Sequence, residues 1–319
     1  MDFSCKAVFS NMQRMGDLLI CRIRNPYIGL TMKKTLFILA CACLLPMASM
    51  ASSVRINFAS GSVPGSQIGG TASSSQNLTN GTYSVQTTSS GSWNEIKATG
   101  DPVTHTSSIG LFDSSNHASG LNISHINLPG GKGGGATFSS FPSGNVDLTA
   151  KYDNEDYDNE DYGNAWKGGV SKSGNDTNTA NLFTLSGFQV NTTYSITLLC
   201  GRLNTYPTGD NTCGFDLSGL NGLTVNTSCV TTKYPNDPTI SGSSISGIGV
   251  NANQMTEVTW TFTTGENTDG LDLTLKGIGD YNLNMIEING MSVPEPGTAS
   301  LSLLGLGLLV LRRKRLSGN

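Results

Sequence analysis

In "TEVTWTFTT", residues 256–264, Val258, Trp260 and Phe262 alternate with threonines. In "LDLTLKGI", residues 271–278, Leu271, Leu273 and Leu275 alternate with Asp272 and Thr274. A period of two places successive side chains on opposite faces of an extended strand, so each segment carries one apolar face and does not suit an amphipathic helix. The same reading gives strands over residues 54–60, 82–88, 180–188, 192–201 and 283–290. The turn-forming stretches "GENTDG" (265–270) and "GDYN" (279–282) separate the last three. One-sided alternation predicts antiparallel sheets with one wet face. Many short strands without helical stripes predict an all-β fold, a two-sheet antiparallel sandwich of jelly-roll-like type. Trp260 is expected in its core, and the Gly/Ser-rich stretches 61–81 and 130–135 as surface loops.

Charge narrows the partners. Only 13% of the 319 residues are charged, and the net charge is -4. Most of the basic residues lie near the two ends, so residues 52–293 carry a net charge of roughly -11. An acidic, Lys-poor body repels phosphate backbones, which excludes nucleic acid as a partner and suits neutral ligands or divalent cations.

The front of the chain contains a complete export signal that begins at Met32. Lys33 and Lys34 form a charged n-region, residues 36–45 an apolar h-region, and Ser49-Met50-Ala51 a small-x-small site that predicts cleavage between Ala51 and Ser52. Residues 32–51 are therefore read as a signal peptide for the Sec machinery and signal peptidase. Residues 1–31, which have no clear period, are read as a mis-assigned extension. "ILAC", ending at Cys41, loosely matches a lipoprotein box, but the apolar stretch before it is short.

Four of the seven cysteines precede the cleavage site. Cys200, Cys213 and Cys229 remain, and an oxidising compartment predicts that one pair closes. Sequence alone leaves three pairings open. Cys200 with Cys213, closing the loop "GRLNTYPTGDNT", is preferred, and the absence of any Cys-x-x-Cys spacing excludes a zinc ribbon.

Candidate chemistry is sparse. The tandem "YDNEDYDNED", residues 152–161, gathers Asp153, Glu155, Asp156, Asp158, Glu160 and Asp161. Such carboxylates suit calcium, although the spacing departs from an EF-hand loop at its sixth and twelfth places and also fits a solvated loop. His105, His117 and His125 match no metal-ligand spacing. "GGKGGGAT", residues 130–137, lacks the Ser or Thr that follows the lysine of a phosphate loop. No nucleophile elbow is present, and no catalytic residue is assigned. Trp93 and Trp166, in polar Gly-rich surroundings, are candidates for stacking on a sugar ring, and Trp93 equally suits a loop anchor on the core.

The chain closes with "VPEPGTASLSLLGLGLLVLRRKR", residues 293–315. Val293, Pro294, Glu295 and Pro296 form an extended, helix-free stretch, because each proline fixes its own φ and disfavours helix before it. The apolar run 298–311 is expected to form a short hydrophobic helix, below the roughly twenty residues a span requires. Arg312, Arg313, Lys314 and Arg315 suit a cytoplasmic membrane face. A plain membrane anchor and a processed sorting signal both fit this order.

This pattern over residues 293–316, together with the signal peptide, resembles the sorting signal of PEP-CTERM proteins. The series "VRINFAS", "GSWNEIKATG", "IGLFDSSNHASGLNIS" and "LNMIEINGMSVPEPG" also resembles the jelly-roll ectodomains common in that family, here residues 52–292. The resemblance implies an exosortase as processing partner near Pro294 to Pro296, transient anchoring in the inner membrane, and delivery to the cell surface or the extracellular space. It makes this chain the substrate rather than the enzyme. The ectodomain is expected to be a carbohydrate-binding or adhesive module without a required cofactor, with a polysaccharide hydrolase or lyase as the rival reading.

Overall fold

The structure is a computed structural model. It describes residues 53–60, 68–89, 91–129, 148, 151–152, 165, 169–171, 179–202, 212–231, 238–249 and 254–292. About 70% of these residues are strand, in mostly antiparallel sheets with a sandwich-like core.

The large sheet runs β13 (Val225–Thr231), β16 (Gln254–Thr263), β11 (Thr192–Arg202), β18 (Asn282–Ser292), β1 (Val54–Ser60), β4 (Gly91–Ala98), β3 (Gly81–Thr88), β2 (Thr71–Leu78). A two-residue strand, β9 (Val170–Ser171), also pairs with β18. The second sheet runs β14 (Thr239–Ser241), β15 (Ser244–Gly249), β12 (Thr212–Ser218), β17 (Leu273–Gly279), β10 (Thr179–Ser186), β7 (Ala118–Ser124), β6 (Ile109–Phe112). A separate hairpin joins β5 (Val103–His105) to β8 (Ile126–Leu128).

Alternation decides what fills the space between the two sheets. Ile56 and Phe58 of β1, Ile196 and Leu198 of β11, and Val258, Trp260 and Phe262 of β16 point inward from the large sheet. Phe183, Phe215, Leu273 and Leu275 meet them from the second, and the rings of Phe58 and Phe183 stack at 5.8 Å. Phe188, Tyr194 and Phe262 form a second aromatic group, with centroids 5.0 to 5.9 Å apart. Gly277 of β17 is required where it stands, because a Cβ there would run into the ring of Tyr281.

Three expectations need correction. Residues 71–78, read as part of a loop, form β2: its run of Ser, Thr and Gln has no apolar face because nearly every side chain at this sheet edge is exposed. The sheets are not wholly antiparallel, since β1 and β4 run parallel, Ile56 opposite Asn94 and Phe58 opposite Ile96. The large sheet also lacks a fully wet face: residues 281–288 are buried without a break, although β17 keeps the expected alternation. The signal peptide, the extension before it and the C-terminal apolar segment lie outside the described residues. Among the described residues, no helix is long and apolar enough to cross a membrane.

One buried amide ties the two sheets together inside the core. Asn94 of β4 is fully buried, and its Nδ2 donates to the carbonyls of Arg55 (2.9 Å) and Phe112 (2.8 Å). Its Oδ1 accepts from the Phe112 N–H (2.9 Å) and from the Tyr83 hydroxyl (2.8 Å). Burial holds the Tyr83 hydroxyl well above the usual tyrosine range, so it remains a donor. Asn94→Ala would leave several of these groups buried without partners and should cost about 3–5 kcal/mol, measured as a lower denaturant midpoint at unchanged m-value.

Candidate functional site

The outward-facing residues of the large sheet fall into rows set by the strand register. One row reads Glu95, Asn57, Met285, Leu199, Glu257 across β4, β1, β18, β11 and β16. The next reads Trp93, Arg55, Glu287, Thr197, Thr259. The apolar members would face water if the sheet were bare. Ile68, Leu148, Tyr152 and Ala165 cover them instead, forming a second buried cluster with Trp93, Leu199, Met255 and Met285.

Carboxylates hold this cover in place. Glu95 Oε2 accepts from Asn57 Nδ2 (3.2 Å) and from the Ile68 N–H (3.0 Å), which fixes one covering segment. Glu257 Oε2 accepts from Lys151 Nζ (2.6 Å) and from the Tyr152 hydroxyl, which fixes another. Glu287 pairs with Arg55 at 3.3 Å, and the Arg55 guanidinium lies 5.6 Å from the centre of the Trp93 ring. A charge removed from water is tolerated only with such partners. Each of the three carboxylates is thus engaged by the protein's own donors.

Beyond the covered part, the same face turns into an uncharged field of hydroxyls and amides. Thr193 and Thr263 share a hydrogen bond of 2.9 Å; at the border with the covered part, Thr197, buried beside Glu287, shares one of 3.1 Å with Thr259. Ser195, Thr261 and Asn289 form the row between Thr197–Thr259 and Thr193–Thr263 and are half-buried, while Asn226 and Ser228 on the edge strand β13 are exposed. A flat array of neutral donors and acceptors suits a neutral polyhydroxylated ligand better than an ionic one.

The structure separates the residues singled out in sequence. Trp93 is 1% exposed, so its ring packs the second cluster and offers no open face to a sugar. Trp166 and the six carboxylates Asp153 to Asp161 lie outside the described residues, as do Ala51, Ser52, residues 293–296 and Arg312 to Arg315. Tyr152, the first residue of the acidic duplication, is buried against the large sheet. The histidines have separate local neighbours: His105 with Gln76, His117 with Asp113, and His125 with Ser124. Among the described residues, no group of three or more His, Cys, Asp or Glu is arranged to hold a metal ion.

Sequence reading missed the set Arg55, Glu95, Glu257 and Glu287. The signal was available in "IEI", where Glu287 sits between Ile286 and Ile288: a charge inside an otherwise buried strand has to find a partner on its own face.

The final strand, β18, lies in the interior of the large sheet and ends at Ser292. From that interior strand the sequence continues into Val293-Pro294-Glu295-Pro296. Residues 292–315 match the family model of the PEP-CTERM protein-sorting motif, which supports an exported protein sorted by exosortase. No curated protein and no solved structure matches the chain.

If Trp93 serves packing, Trp93→Ala should lower stability by about 3–5 kcal/mol in denaturant titration, whereas Trp93→Phe should recover most of that loss.

Proposed function

We propose that this protein is a surface or extracellular-matrix component, held briefly at the inner membrane by its tail, whose ectodomain is a non-catalytic, jelly-roll-like module that binds neutral glycans. The match over residues 292–315 carries the sorting half of this reading. The motif begins where β18 ends, so processing near Pro294 to Pro296 would detach the tail without removing any described strand. Signal peptidase would act at the other end, between Ala51 and Ser52.

The glycan half is supported by the uncharged hydroxyl and amide face of β11, β16, β18 and β13, with Trp166 as the remaining aromatic candidate. The rival reading, a polysaccharide hydrolase or lyase, needs two carboxylates facing a substrate. The engagement of Glu95, Glu257 and Glu287 by the protein's own donors favours the binding reading. Calcium at the acidic duplication is compatible with either function and required by neither.

Intact-mass measurement on protein from native cells tests sorting. The expected species has lost residues 1–51 and everything after about residue 296; retention of residues 312–319 in the mature protein would overturn processing. Pull-down on insoluble and exopolysaccharide preparations tests binding. Trp166→Ala should reduce retention at least tenfold without changing the thermal midpoint, and undiminished retention would remove Trp166 from the site.

A further inference from the structure

The three cysteines of the ectodomain lie on three consecutive strands, Cys200 on β11, Cys213 on β12 and Cys229 on β13, all as free thiols. The first and third strands belong to the large sheet and the second to its partner. Cys200 and Cys213 are 3% and 4% exposed in the same core cluster, where the neighbouring Cys213 and burial together push the Cys200 thiol up. Cys229 packs half-buried against the same cluster.

Register removes one of the three pairings. Strand β16 runs between β11 and β13, with Cys200 opposite Thr256 and Cys229 opposite Val258. Two strand spacings place the Cα atoms of Cys200 and Cys229 about 9.5 Å apart before their offset along the strands is added. A disulfide tolerates at most roughly 7 Å. Only a bond to Cys213 is then open to either residue, and Cys200 is the one fully buried beside it in the core.

We propose that Cys200 and Cys213 become a disulfide that fastens the two sheets together in the exported protein, with Cys229 as the leftover thiol. The bond forms as the two thiols give up two protons and two electrons. The acceptor is the disulfide of a thiol–disulfide oxidoreductase in the receiving compartment, which becomes a dithiol. One cysteine thiolate attacks that disulfide to give a mixed disulfide, and the other then displaces the carrier's sulfur. Because both sulfurs are buried in the finished core, the exchange takes place before the sheets close. Cys229 does not undo it: burial, with Cys200 and Glu257 nearby, pushes its thiol up to about 12, which leaves almost no attacking thiolate at neutral pH.

Two-step alkylation of the mature exported protein, which has lost residues 1–51, tests the assignment. The protein is denatured without reductant and treated with light iodoacetamide, then reduced and treated with the heavy reagent, and its peptides are mapped. The expected result is light label at Cys229 alone, near one mole per mole, with Cys200 and Cys213 heavy and found as one linked peptide before reduction. Light label at Cys200 or Cys213, or a linked peptide containing Cys229, overturns it. Cys229→Ser should keep the linked peptide, and loss of that peptide in this variant would also overturn it.

Discussion

Burial of the large sheet on both faces along β1, β18 and β11 is the constraint from which the rest of the architecture follows. The inner face meets the second sheet through Ile56, Ile196, Ile286 and Ile288. The outer face carries Leu199, Met255 and Met285, which require a cover of their own. Apolar burial contributes about 25 cal/mol per Å², so a bare outer face would forfeit several kcal/mol. The covering segments therefore serve the stability of the sheet, and they limit the wet part of this face to its threonine-rich end.

Polar groups inside this arrangement act as fasteners. Asn94 satisfies backbone groups of both sheets at once, which an apolar residue of the same size cannot do. Asn284 works similarly at the bulge where β18 slips by one residue against β11: its side-chain oxygen accepts the Gly201 N–H at 2.8 Å in place of a ladder partner. Glu95 and Glu257 bind the outer cover from below.

Much of the fold was legible from alternation, and the site was not. The strands around Val258, Trp260 and Phe262, or Leu273 and Leu275, announce themselves because one face is apolar and the other is threonine or charge. β2 was missed because an edge strand with both faces in water has no pattern to read. The double burial of β18 was missed because "LNMIEING" was read only as a strand, without assigning its two faces. Trp93 illustrates the limit: "GSWNEIKATG" shows a tryptophan among polar residues, yet those residues, Asn94 and Glu95, are themselves buried and hydrogen-bonded. Polar neighbours in sequence do not imply solvent around the ring. The tail was legible because its information is order and composition, which need no fold.

The position of β18 bears on how the domain carries load. Its antiparallel ladders to β11 on one side and β1 on the other set their hydrogen bonds across the strand axis. A pull on the domain from beyond Ser292 would enter along that axis and shear both ladders together, with no edge strand to peel away first. Such tension would be spread over the middle of the sheet rather than over an edge strand.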